Sequence, residues 1–412
     1  MTKIAIMGYG TVGSGVYEVI KVNQNIVNTK AKEDIEIKYV LDLRDFPGDP
    51  VEEVLTHDFN DILNDDEVSV VVEVMGGVKP AYEFTKALLL KGKSVCTSNK
   101  ELVAAHGAEL IKIAEEKNIN YLFEASVGGG IPILRPLISS ITADKIQEIK
   151  GILNGTTNYM LTKMSKEGLE YNDVLKDAQN KGYAERNPAA DVEGYDACRK
   201  ISILMSLALE AQVDYNDVMI EGITNITKTD IDYAKAMGKV IKLLGVGKTT
   251  KEGSWAFVAP FMLGEDSPLY MVNDVFNGIC VTGNMLGQVM FYGRGAGKEA
   301  TAAAVVSDVV DAIKHKNTHV IINWAEEKQE LMPMDSFKTS KFVRVESYDK
   351  PKAKKAVSDI FGDVKFTELP ELEDEFGFIA PKAAESETDR LLSSLLSCEG
   401  IENILGTLRT EE

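Results

Sequence analysis

Six residues near the start constrain this chain most. Gly8-Tyr9-Gly10-Thr11-Val12-Gly13 follows the apolar run Lys3–Met7 and opens a helical pattern over Thr11–Val22. In that position Gly8 permits a tight strand-to-helix turn. Gly10 lets a pyrophosphate approach the backbone, and Gly13 lets helix and strand pack closely. The same spacing alone also fits an ordinary turn, so the context decides. Glu36–Leu41, Val68–Val74, Ser94–Thr97 and Asn120–Phe123 read as strands, with Pro80–Lys91 and Glu101–Lys117 as helices between them. Such alternation predicts a parallel sheet covered on both faces, a Rossmann-type α/β unit that binds NAD or NADP.

The pattern changes near Ile131. Gly128-Gly129-Gly130, Gly151 and the breaks at Pro132 and Pro136 mark entry into a second unit. Thr301–Lys314 is Ala/Val-rich and helical, and reads as an element that returns to the first unit. Met332-Pro333-Met334-Asp335-Ser336 reads as a linker. Beyond it, Phe342–Val345, Val364–Leu369 and Gly377–Ala380 read as strands, with helices over Pro351–Phe361 and Glu385–Ser397. A βαββαβ module of about 75 residues is the simplest account. The expected organisation is therefore a dinucleotide unit over 1–130, completed by a returning helix near 300–330. An α+β substrate unit over 131–300 and a compact module over 337–412 complete the chain.

Composition narrows the function classes. With 412 residues and 44% hydrophobic content, two or three cores can form. A net charge of −19 argues against nucleic acid or an anionic membrane as partner. An anionic ligand must then meet local lysines, arginines or helix N-termini. Cys96, Cys198, Cys280 and Cys398 form no CxxC pair, and the four histidines have no HExxH spacing. Reduced thiols and no transition-metal centre are expected. The chain opens on a strand rather than a signal peptide, and its longest apolar runs are short for a bilayer span. A cytoplasmic enzyme is the expectation.

Several polar residues stand where chemistry could occur. Lys200 falls on the apolar stripe of a helix, among Leu204, Leu207 and Ala211, with Asp196 one turn earlier. Arg199, Ser202, Ser206 and Glu210 form the opposite, polar-leaning face. An ammonium buried there costs several kcal/mol (order of magnitude) unless paired, and Asp196 at i−4 is a suitable partner. The pair reads either as a tuned acid/base or as a lysine that snorkels to the surface. At the end of the second strand, Asp42 suits a ribose hydroxyl and Arg44 suits a 2′-phosphate, so the two point to different dinucleotides. Ser98 and Lys100 follow a strand at the carboxyl edge of the sheet, where such folds bind ligands, and Lys100 reads either as a ligand or active-site cation or as a plain helix-start residue. Asn154-Gly155-Thr156-Thr157-Asn158-Tyr159 begins a helix whose N–H groups and hydroxyls suit a small polar substrate, or simply cap the helix. Glu185 and Asp191 lie at an acidic turn that suits a substrate ammonium or is simply an exposed acidic loop.

Taken together, these segments resemble homoserine dehydrogenases. The resemblance is carried by the Gly8–Gly13 turn, Glu73-Val74-Met75-Gly76-Gly77, Ser98-Asn99-Lys100 and Glu124–Pro132. Asn154–Tyr159, Asp191–Lys200, Tyr292–Gly297, Thr301 and Ser307-Asp308 extend it in the expected order. The C-terminal module resembles an ACT domain. The resemblance implies reversible reduction of L-aspartate 4-semialdehyde to L-homoserine with NADPH or NADH, on the route to threonine, methionine and isoleucine. It implies Lys200 as acid/base and Lys100 as a second active-site lysine. Glu185 would bind substrate with Asp191 and Asp196 beside it. Thr11, Val12 and the late Gly297 would join the glycine turn in holding the cofactor. A structural sodium ion is implied at the loop of Glu124, Val127, Gly129 and Ile131, and a homodimer or higher homo-oligomer as the assembly. An amino-acid effector is implied at the ACT-like module.

Two positions depart from the family pattern. Asn187 precedes Pro188 where an acidic residue is usual, and Lys352 follows Pro351 where glycine commonly lets an effector approach the backbone. A phosphorylating aspartate-semialdehyde dehydrogenase, the competing enzyme class, would need a nucleophilic cysteine. Cys96 in a strand and Cys198 in a helix body suit that role poorly. A catalytically retired amino-acid sensor would not need Lys100, Glu185 and Lys200 together.

Overall fold

The computed structural model describes residues 1–411. Six strands form one parallel sheet: β1 (Thr2–Met7), β2 (Ile35–Leu41), β3 (Leu55–Thr56), β4 (Val68–Glu73), β5 (Ser94–Thr97) and β6 (Tyr121–Leu122). Their order is β3-β2-β1-β4-β5-β6. Ile4, Ala5, Ile6 and Met7 are all buried although neighbours point to opposite faces, so helices cover both sides. The order reverses between β1 and β4, and the crevice beyond their carboxyl ends is where such sheets bind ligands. The Thr11–Val22 helix begins at that crevice. The Lys298–Lys314 helix returns to pack on it, with Ala302 against Gly15.

The glycine turn is tightly built. Gly8 has φ +99°, a conformation that favours glycine. A Cβ on Gly13 would sit 1.9 Å from the Gly8 carbonyl oxygen, whereas one on Gly10 would meet open space.

The second large sheet has ten strands. They are β7 (Ile146–Ile152), then, after the separate short strand β8 (Ala211–Gln212), β9 (Met219–Ile220), β10 (Val240–Thr249), β11 (Ser254–Leu263), β12 (Phe276–Gly283) and β13 (Gly287–Arg294). Beyond β14 (Ala325–Lys328), which pairs with β8, come β15 (Lys338–Ser347), β16 (Phe366–Thr367), β17 (Glu375–Ala384) and β18 (Ile401–Thr410). The path runs β13-β12-β7-β10-β11-β18-β15-β17-β16, with β9 beside β11. Residues 338–410 have the βαββαβ order read from sequence, but they are not a separate body. β18 pairs in parallel with β11 at Phe261↔Arg409 and Met262↔Thr410, which fuses the module into the larger sheet.

Three local expectations need correction. The 332–336 segment is pinned rather than a free linker. Met332 N–H donates to Ser254 O at 2.8 Å, and the Trp255 indole donates to Ser336 Oγ at 3.1 Å. The strand expected over Val364–Leu369 shrinks to Phe366–Thr367, because only those residues find partners, on β17. Ser202 and Ser206 are buried rather than on an exposed polar face. The Tyr195–Leu209 helix packs on β10, β11 and the Lys100–Glu116 helix, and its hydroxyls donate within the helix, to Arg199 O and Ser202 O, both at 2.8 Å. Among the described residues, no helix is long and apolar enough to cross a membrane.

The turn yields one expectation. Gly13→Ala should lower Tm by at least about 5 °C, because the clash with the Gly8 carbonyl outweighs the gain of about 0.5–1 kcal/mol from alanine in a helix. A melting curve unchanged from the parent would contradict this reading of the turn.

Candidate active site

A cleft of about 750 Å³ separates the parallel sheet from the ten-stranded one. Thr11, Val12, Ser98 and Gly297 line one side, and Asn154, Glu185, Asp191 and Lys200 line the other. At its floor lies Asp196, 5% exposed. Two lysines share its carboxylate. Lys200 Nζ donates to Asp196 Oδ2 at 2.7 Å, and Lys100 Nζ lies 2.9 Å from Oδ1. Lys200 also donates to Leu153 O at 2.7 Å. The snorkelling alternative is thereby excluded: the ammonium points into the protein and is 7% exposed as a residue.

Local sequence explains this convergence. Gly194, at φ +88°, turns the chain into the Tyr195–Leu209 helix and puts Asp196 in its first turn, where a carboxylate is favoured. Lys200 follows one turn later on the same face. Lys100 is the first residue of its helix, and Asn99 caps that helix by accepting from Leu102 N–H at 3.1 Å. Asn99 is held in turn. Its side chain donates to Gly77 O at 2.6 Å, and its N–H donates to Thr97 Oγ1 at 2.9 Å. Thr97 donates to the buried Glu73 carboxylate at 2.6 Å, which also accepts from Met75 N–H at 2.9 Å.

Electrostatics separates the two lysines. Asp196 holds the Lys100 ammonium above the ordinary lysine value. Burial pulls Lys200 below that value against the pull of Asp196, and the nearby Lys100 charge adds to the depression. Burial alone would raise Asp196, but the two ammonium groups overcome it and hold the carboxyl below the usual range. Burial raises Asp191, whose Oδ1 accepts from Asn154 Nδ2 at 2.7 Å. The same Asn154 amide donates to Asp196 Oδ2 at 2.9 Å, while its oxygen caps the Gly155–Glu167 helix through Thr157 N–H. Sequence reasoning placed Asn154 at a capped helix start and Glu73 in a family motif, but gave neither a contact with the site. Each serves the site by connecting segments distant in the chain, which local spacing cannot reveal.

The remaining residues separate by location. Glu185 is exposed at the cleft rim, with its backbone carbonyl held by Gln179 Nε2 at 3.1 Å. Gly155 lies against Val275, and Thr156 donates its hydroxyl to Tyr183 O at 2.7 Å. Gly8 and Gly13 lie behind the cleft wall, in contact with each other. The Thr11–Val22 helix begins at Gly10 with no side-chain cap and no acidic residue in its first turn, leaving its N–H groups for an anion. Arg44 lies away from the cleft wall. It forks onto Asp42 with two contacts of 2.9 Å, while Tyr9 N–H donates to the same carboxylate at 2.7 Å. That fork holds Asp42 well below the usual carboxylate range.

At the Gly-rich loop, Val127 and Gly129 line the cleft, and Glu124 and Ile131 lie behind. The Glu124 carboxylate accepts from Ile133, Leu134 and Arg135 N–H at 2.7–2.9 Å, so it caps a helix rather than facing a cation. Cys96 and Cys198 are buried thiols. Burial raises both, Cys198 to about 12, which suits neither to nucleophilic attack.

A helix N-terminus open to a pyrophosphate faces, across one cleft, a buried lysine held on a carboxylate. That pairing is the layout of a nicotinamide-dependent oxidoreductase. Two family models match the chain. "Homoserine dehydrogenase, NAD binding domain" matches residues 8–124, and "Homoserine dehydrogenase" matches residues 132–310. The Bacillus subtilis homoserine dehydrogenase is 36% identical over 99% of this chain and 98% of its own. The crystal structure of a homoserine dehydrogenase from Thiobacillus denitrificans superposes with a TM-score of 0.90 at 29% identity, covering 100% of this chain and 98% of that one. A hyperthermophilic archaeal homoserine dehydrogenase mutant in complex with NADPH matches with a TM-score of 0.64 at 27% identity. It covers 76% of this chain and 97% of its own. The chain belongs to the homoserine dehydrogenase family.

The shared carboxylate leads to a stability expectation. Asp196→Asn leaves the buried Lys200 ammonium without its carboxylate and facing the Lys100 charge, and should cost about 3–5 kcal/mol in urea unfolding. A loss below about 1 kcal/mol would mean that Asp196 is not their common partner.

Proposed function

We propose that this chain catalyses the reversible reduction of L-aspartate 4-semialdehyde to L-homoserine, a step toward threonine, methionine and isoleucine. The observation that carries the reading is Lys200, buried at the cleft floor between Asp196 and Leu153 O. NADPH or NADH, when bound, supplies the hydride. The chain's residues do the rest. Lys200 Nζ gives a proton to the aldehyde oxygen as charge develops there, and takes it back from the alcohol in the reverse direction. Asp196 orients Lys200 and keeps its ammonium charged against the pull of burial. Lys100 adds positive field at the same oxygen. Glu185 and Asp191 bind the substrate ammonium, and Gly155 and Thr156 shape the wall beside it. Gly10, Thr11 and Val12 hold the pyrophosphate on the turn that Gly8 and Gly13 keep tight, with Ser98 and Gly297 closing over the dinucleotide.

The finer assignments follow the same division. Residues 1–130 with the returning helix carry the dinucleotide, and 131–300 the substrate. The fit of either cofactor rests on Arg44. Its side chain is 62% exposed, so it can swing from Asp42 to a 2′-phosphate, or stay and leave the site to NAD. A sodium ion at the loop would take the backbone carbonyls of Glu124, Val127, Gly129 and Ile131. This fits the use of the Glu124 carboxylate elsewhere. Residues 337–412 form an ACT-like regulatory unit for an amino-acid effector. β13 closes one side of the large sheet with an edge that no described strand pairs, which suits a homodimer or higher homo-oligomer.

The deciding assay is homoserine-dependent formation of NADH and NADPH at alkaline pH, with and without threonine. Lys200→Ala should lower kcat by about 10²-fold or more with little change in dinucleotide KM. Unchanged turnover would remove Lys200 from the chemistry. Lys100→Met should move the alkaline limb of the semialdehyde-reduction profile upward. Removing its positive charge relieves the repulsion that depresses Lys200, so the protonated acid persists to higher pH. A limb that moves down, or stays, would separate Lys100 electrostatically from Lys200.

A further inference from the structure

Arg409, in the last strand β18, lies outside both family models, which match residues 8–124 and 132–310. Its guanidinium joins two parts of the fold. Nε and Nη2 fork onto Glu385 at 2.6 and 3.0 Å, within the C-terminal module. Nη1 pairs with Glu221, which follows β9. Glu221 N–H donates to Val258 O at 2.8 Å on β11, so the carboxylate projects from a strand-fixed backbone.

The segment carrying Glu221 is the wall of the substrate loop. Ile223 N–H donates to Val192 O at 2.8 Å. A Cβ on Gly222 would sit 2.2 Å from Val192 O and 2.7 Å from Glu193 Cα. One on Gly194 would sit 2.9 Å from Ile220 Cγ2. Residues 220–223 therefore embrace 192–194 on its outer side. On the inner side, the flanking Asp191 and Asp196 reach the cleft and are joined by the single amide of Asn154.

We infer that Arg409 is a positioning residue for the substrate loop: through Glu221 it fixes the wall against which residues 192–194 set Asp191. The inference rests on the reading of Asp191 as a substrate-binding group. The contact reaches the substrate end of the cleft and leaves the dinucleotide end alone, since Thr11, Val12, Ser98 and Gly297 lie on the opposite wall. Losing the pair should loosen substrate binding selectively, without slowing a bound substrate. It also gives the C-terminal module a direct hold on substrate affinity.

The test is steady-state kinetics of homoserine oxidation by Glu221→Gln, Arg409→Met and the double variant. Each single variant should raise homoserine KM about three- to tenfold, as expected for loss of a partly buried ion pair. kcat and dinucleotide KM should stay within about twofold, and the double variant should match Arg409→Met because the two act through one contact. The Glu221 side chain is 41% exposed, so Glu221→Gln keeps the test open if Arg409→Met does not fold. Asp191→Asn serves as reference. If it leaves homoserine KM unchanged, the substrate-loop reading fails. If it raises KM while Glu221→Gln does not, or if the pair variants raise dinucleotide KM equally, the role of Arg409 is overturned.

Discussion

The site depends on one carboxylate, and on water being kept from it. Asp196 is buried, yet it carries charge because two ammonium groups approach from different helices. Neither the Asp196 nor the Lys200 charge would be tolerated alone at this depth, while Lys100 reaches them from the cleft side. Together they form a triad with net charge +1 on the cleft floor, in a chain whose net charge is −19. The triad also joins the two sheets. Lys100 extends from the crevice of the parallel sheet, and Asp196 and Lys200 come from the helix laid on the antiparallel strands β10 and β11. The cleft geometry is therefore set by an ionic contact that exists only when both halves are in place.

Supporting contacts radiate from that triad. Toward the parallel sheet, Lys100 stands on Asn99, Thr97 and the buried Glu73, a chain of short hydrogen bonds at the carboxyl ends of β4 and β5. Burial raises Glu73, so its bonds to Thr97 and Met75 favour the charged form against the cost of desolvation. Toward the ten-stranded sheet, Asn154 ties Asp196 to Asp191 while capping its own helix. Each of these polar side chains does local work, as a cap or a turn, and at the same time orients a charged group. A site built this way loses geometry when any one member is lost.

The sequence made the first sheet legible because strand and helix periods alternate cleanly there. The Thr11–Val22 helix and the Ser94–Thr97 strand have the limits read from sequence. The pairing of Lys200 with Asp196 was legible too, since i,i+4 spacing is a local property. The second sheet was harder to read. β10 and β11 are buried along their length and pair across it, so their residues show no simple alternation. The burial of Ser202 and Ser206, the pinning of residues 332–336 and the fusion of β18 to β11 all come from distant partners. Likewise, no spacing rule brings Lys100 to Asp196, because 96 positions separate them (196 minus 100). Position at the carboxyl edge of the sheet and the family resemblance singled out Lys100, and the geometry explains what it is next to.

The central claim is that Lys200, held by Asp196, delivers the proton at the reacting oxygen. A crystal structure of the enzyme with homoserine and an oxidised dinucleotide tests it most directly. The account predicts Lys200 Nζ within about 2.6–3.2 Å of the homoserine hydroxyl oxygen, with its contact to Asp196 kept. A homoserine hydroxyl bound by Lys100 alone, with Lys200 still turned to Leu153 O and out of reach, would contradict it.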